Sequence, residues 1–102
     1  MKDRVGSNWA HAVLVCAKCS KRVGGGFGRK GRTPLAKALR KHLQLTKGRK
    51  AASGIVEVKC LGVCPAGAVT VINAADTREW LLVRPAADLD TLSGALGLAA
   101  GE

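Results

Sequence analysis

Four cysteines are the residues of this chain best equipped for chemistry. They form two close pairs, Cys16 and Cys19 spaced C-x2-C, and Cys60 and Cys64 spaced C-x3-C. Thiolate is the soft donor that zinc and iron–sulfur centres both favour. A C-x2-C turn folds two sulfurs to one side, so both can reach one metal atom. Gly62 lets the wider second turn do the same. Gly62 and Gly67 also admit positive φ, which frees amide N–H groups to point at sulfur. Such donors, with local positive charge, stabilise an anionic cluster and raise its potential. The constellation reads as a four-cysteine metal or cluster site that carries electrons.

The elements around the cysteines decide whether the pairs can meet. Ala12-Val13-Leu14-Val15 is an apolar run ending at Cys16, too short for a helix, and reads as a buried strand over 11–16. Ile55 to Cys60 alternates and reads as a second strand. Between them, Lys18 to Arg32 is a basic loop with glycines at 24, 25, 26, 28 and 31, either mobile or shaped around something. Thr33-Pro34 predicts a helix start, with Thr33 as the N-cap. Leu35, Ala38, Leu39 and Leu43 form one stripe of a helix over 34–46, with Gly48 as its stop. A strand–helix–strand unit of this kind crosses over between parallel strands. Cys16 and Cys60 are therefore expected at the same edge of neighbouring strands.

Beyond the second cysteine loop, residues 68–73 and 79–84 predict an antiparallel hairpin. Trp80, Leu82 and Arg84 share one face, with Trp80 expected in the core. Pro85 to Asp88 opens a last helix, with Leu89, Leu92, Ala95 and Leu96 inward and an end near Gly97. Residues 1–10 read as a loose leader and 97–102 as a frayed tail of a single domain. His11 and His42 are isolated and read as structural. Gly24 to Gly28 lacks the terminal Gly-Lys-Ser/Thr of a phosphate loop.

The run Cys60-Leu61-Gly62-Val63-Cys64-Pro65-Ala66-Gly67-Ala68-Val69-Thr70-Val71-Ile72 closely resembles the second half of the thioredoxin-like [2Fe-2S] ferredoxins. The strand ending in Cys16, the helix after it, and Trp80-Leu81-Leu82-Val83-Arg84-Pro85 followed by a short helix are similar to that family too. The likeness spans residues 11–96. It implies a thioredoxin-like α/β fold, a β-α-β unit followed by a β-hairpin and a C-terminal helix. It also implies a [2Fe-2S] cluster for one-electron transfer, with Cys16, Cys60 and Cys64 at the first, third and fourth ligand positions. Cys19 departs from the pattern, since the family's second ligand commonly arrives ten or more residues after the first. The C-x2-C form resembles a branch of the family. Many members are dimers, which extends the implication to a homodimer.

Two other classes stay open. Four thiolates also satisfy tetrahedral zinc, which would make the chain a structural module, nucleic-acid-associated through its basic segment. Cys16-Ala17-Lys18-Cys19 at a strand end invites a thiol–disulfide oxidoreductase. Against that, the glycines after Arg22 are expected to break the helix such an enzyme needs, and Cys60 and Cys64 go unexplained.

Composition narrows the setting. The 102 residues carry a net charge of +10 and three aromatics, Trp9, Phe27 and Trp80, which predicts an aliphatic core. No apolar run reaches the ~20 residues of a membrane span, and no apolar leader is visible. A cytoplasmic electron carrier without a substrate of its own is the expectation, with reduced thiols. Residues 18–50 hold twelve Lys and Arg and no carboxylate. This segment reads as a solvated cationic face or as a surface that steers an acidic redox partner toward the cluster. Nucleic acid is disfavoured, because Phe27 alone interleaves the basic run and no base-reading motif is visible.

Overall fold

The computed structural model describes residues 3–46, 48–63 and 65–98. Seven elements follow one another: β1 (Ala12–Cys16), α1 (Ala17–Arg22), α2 (Leu35–His42), β2 (Gly54–Val58), β3 (Val69–Asn73), β4 (Asp76–Val83) and α3 (Leu89–Ala95). The strands form one mixed sheet in the order β2-β1-β3-β4. β1 and β2 are parallel, with Cys16 opposite Val58. β3 runs antiparallel to both β1 and β4. The parallel β1–β2 pair and the hairpin are thus as the apolar runs predict.

Register explains which side of the sheet is buried. Val15 faces Val71, Val71 faces Leu81, and Val69 faces Val83. Partners across a ladder share a face, so these valines line one surface. They pack with Leu35 and Leu39 of α2 and with Leu92 and Leu96. Trp80 and Leu82 fall on the opposite surface and stay 39% and 49% exposed, so the expectation of a core Trp80 is corrected. The hairpin turn is tighter than predicted, because Asn73 already pairs with Asp76. Ala95 is exposed rather than inward.

The 7–10 stretch is not loose. Asn8 N–H donates to Arg49 O at 2.7 Å and Ala10 N–H to Ala52 O at 2.8 Å. Trp9 donates through Nε1 to Gly48 O at 2.8 Å. Its ring lies where a side chain at Gly54 would be, since a Cβ there would sit 2.4 Å from the indole. The extent of the predicted C-terminal tail beyond Leu98 lies outside the described residues.

α2 begins one residue later than predicted. Pro34 occupies the N-cap with no side-chain bond, because Thr33 is held in a bridge to Phe27. It ends at His42 rather than 46. Gln44 takes a left-handed φ of 55°, and Leu45 N–H returns to Arg40 O at 2.8 Å. That is a Schellman closure built on glutamine where glycine is usual, so Gly48 is not the stop.

α3 is capped by Asp88. The Thr91 hydroxyl donates to its Oδ2 at 2.8 Å and Asp90 N–H to its Oδ1 at 3.3 Å. These bonds, the hydroxyl first, hold the Asp88 carboxyl below its ordinary 3.8. A depressed folded pKa contributes stability that is present above the unfolded value and is lost as pH falls through the folded one. The Tm gap between wild type and Asp88→Ala, open at neutral pH, should therefore close as pH falls below 3.8. A gap of equal size in strong acid would show that the cap owes nothing to the carboxylate.

Candidate metal centre

β1 passes into α1 without a loop. Cys16 is both the last strand residue and the helix N-cap, at φ −75° and ψ 114°, and its Sγ accepts Cys19 N–H at 3.5 Å. Sulfur takes the place that a serine or aspartate oxygen usually fills. The expectation of a loop from Lys18 onward is corrected here. Ala17 to Arg22 contains no glycine and several good helix formers. The glycines act only after it: Gly24 adopts φ 67°, and Gly25 N–H closes on Ser20 O at 3.2 Å. The objection that glycine breaks the helix behind the C-x2-C motif therefore falls.

Cys16 and Cys19 are buried, at 0% and 1% exposure. Cys19 Sγ donates to Val63 O at 3.6 Å and lies 3.9 Å from Thr70 Oγ1. The Thr70 hydroxyl in turn donates to Val63 O at 3.0 Å. Ser20 Oγ donates to Cys16 O at 3.1 Å, bracing the strand-to-helix corner. Lys18 N–H reaches Lys59 O at 3.2 Å and ties the first turn of α1 to the second cysteine loop.

That loop also supplies amides to sulfur. Gly62 N–H donates to Cys60 Sγ at 3.3 Å. Burial pushes the Cys16 thiol up, but N–H groups of Cys19, Leu61 and Lys18 and the Cys19 thiol together bring it below its ordinary value. The amides favour the charged sulfur, as hydrogen bonds to an anion do. One loop thus bonds a sulfur of each pair, Cys19 through Val63 O and Cys60 through Gly62 N–H. Gly62, at φ 84°, supplies the backbone this turn requires.

The structure brings Cys16 and Cys19 together against the 59–63 loop. Cys60 lies just past the end of the neighbouring strand and is exposed. Cys64 lies outside the described residues. Among the described residues, no three Cys, His, Asp or Glu side chains are grouped to hold a metal ion. His42 is engaged on α3: its Nε2 pairs with Asp90 Oδ1 at 2.7 Å. Thr70 is the participant sequence reasoning passed over. Its signal was present, since it is the one hydroxyl inside the apolar run Ala68 to Ile72, and it is fully buried.

Among the described residues no helix is long and apolar enough to cross a membrane. Comparison of the chain with protein-family models, with curated proteins and with solved structures gives no match in any of the three.

Proposed function

We propose that the chain is a cytoplasmic one-electron carrier that holds a [2Fe-2S] cluster through Cys16, Cys19, Cys60 and Cys64 on a thioredoxin-like fold. The observation that supports this most is that the buried Cys19 Sγ bonds Val63 O of the second cysteine loop, the loop in which Gly62 N–H donates to Cys60 Sγ. Thiols carried at neighbouring strand ends, with N–H donors on Cys16 and Cys60, suit a group ligated by thiolates. When bound, the cluster supplies the one-electron chemistry. The chain's own part is to supply anionic sulfurs, to offset their charge with amides, and to keep Cys16 and Cys19 away from water. The Thr70 hydroxyl and the Val63 carbonyl fix the position of Cys19. Exposed Lys18, Lys21 and Arg22 rim the site on α1 and would steer an acidic partner to it.

The test is the visible spectrum of protein purified without oxygen, with iron, sulfide and zinc counted per chain. About two irons and two sulfides are expected, with the colour they bring. A colourless protein with about one zinc would replace electron transfer with a structural metal module.

A second reading has its own support. Cys16 caps a helix and Cys19 lies in its first turn, the placement a C-x2-C redox pair uses. A metal-free protein that stays folded and reduces a disulfide through Cys16 and Cys19 would favour it over the cluster.

A further inference from the structure

The glycine-rich segment that the cysteine site does not use is a built hairpin. Phe27 N–H donates to Thr33 O at 3.0 Å and Thr33 N–H to Phe27 O at 2.9 Å. Gly25 is required for the two arms to close, since a Cβ there would lie 2.2 Å from Arg32 O. The base is pinned a second time where Ala86 N–H donates to Gly26 O at 2.8 Å. The tip, residues 28–31, is turned back by Gly31 N–H to Gly28 O at 3.2 Å. A segment whose composition suggests mobility is held at both its arms.

Between this tip and α2 lies a cavity of about 630 Å3, lined by Gly28, Arg29, Lys30, Arg32, Lys41 and His42, among others, with no carboxylate in its wall. Among the described residues, Arg29, Lys30, Arg32 and Lys41 make no ion pair and no side-chain hydrogen bond; the one ion pair present is His42 with Asp90. Bringing four cations to one concavity, with Asp90 on His42 as the carboxylate at its edge, costs free energy through mutual repulsion. The backbone bonds at the arms of the hairpin keep that cost in place when no anion is bound.

We infer that this groove is a binding site for a compact polyphosphate anion, separate from the cysteine site and independent of what the cysteines hold. The cations approach from the hairpin tip, from its return arm and from α2, so they converge on a small ligand that presents oxygens in several directions. Two are arginines, whose planar forks match phosphate oxygens in pairs. The groove offers no platform for a nucleobase, because Phe27, the aromatic of this segment, is fully buried. Single-stranded nucleic acid relies on such stacking.

Calorimetric titration of the full chain with sodium tripolyphosphate at physiological ionic strength tests the site. Saturable binding of one anion per chain is expected. The double variant Arg32→Ala/Lys41→Ala should weaken it at least about tenfold, a loss of about 1.4 kcal/mol or more. The charge-matched control Arg49→Ala/Lys50→Ala, outside the groove, should change it less than about twofold, as expected for screened distant charges. Equal weakening by both doubles would overturn the site in favour of diffuse positive charge, as would the absence of saturation. Tighter binding of a short oligonucleotide, or of an oligoglutamate peptide, than of tripolyphosphate would overturn the ligand class. Each exposed substitution should leave Tm near wild type, so loss of binding will not be loss of fold.

Discussion

Cys16→Ser is expected to leave a folded chain that no longer holds the proposed cluster. Serine is a preferred N-cap residue, so the replacement keeps an acceptor for Cys19 N–H, the bond that starts α1. What it removes is the soft donor. A serine oxygen is a hard ligand that titrates far above a thiol, and it suits iron poorly. Iron and sulfide per chain should fall at least about tenfold, beyond what loss of a neighbouring hydrogen bond costs. The far-ultraviolet circular dichroism should hardly change. The comparison that gives the result meaning is Thr70→Val. It keeps the shape of a buried side chain but deletes the hydroxyl that braces Val63 O, and should lower cluster loading partially. If Cys16→Ser protein carries the same iron and sulfide as wild type, Cys16 is not a ligand and the proposed set collapses. If wild type and variant both lack metal while only wild type reduces disulfides, the C-x2-C pair is a redox couple instead.

Strands were the legible part of this chain. Each is a short apolar run bounded by polar or glycine residues, and each of the four lies within a few residues of where those runs predict. Pairing followed from chain logic: a long connection between β1 and β2 fits parallel strands, and a short one between β3 and β4 fits a hairpin. The juxtaposition of the strand ends that bear Cys16 and Cys60 followed from the same logic. α1 was not legible. Six residues give too little length for a periodic stripe, and its N-cap is a sulfur, which no capping pattern anticipates. The neighbouring glycines then drew the whole segment into a loop, although they begin only after the helix has ended.

Trp80 was misread for a different reason. Alternation along β4 is visible in the sequence, but alternation alone does not say which of two apolar sets turns inward. Trp80 and Leu82 form one set, Leu81 and Val83 the other. The choice was made by register against Val69 and Val71, a tertiary fact. Phe27 had no side assigned by any periodicity, since it stands alone among glycines and cations, and it is core.

That placement carries the largest stability effect expected in the molecule. Phe27 is fully buried, in one cluster with Leu35, Leu39 and Leu96. Phe27→Ala deletes a ring from a small core and leaves a void, which typically costs about 3–5 kcal/mol. A domain of this size has about 5–15 kcal/mol in all, so Tm should fall by about 15 °C or more. The effect should also reach the cationic groove, because the hairpin presenting Arg29, Lys30 and Arg32 has Phe27 as its anchor. Tripolyphosphate affinity measured well below the new Tm should therefore drop although no cation has been altered. Arg32→Ala should behave in the opposite sense, losing affinity at nearly unchanged Tm. Chemical denaturation of both variants reads the first effect, and calorimetry on the same samples reads the second. A Phe27→Ala cost under about 1 kcal/mol, the range of surface changes, would mean that the hairpin is a passive surface loop. The physical basis for a preformed anion groove would then be gone as well.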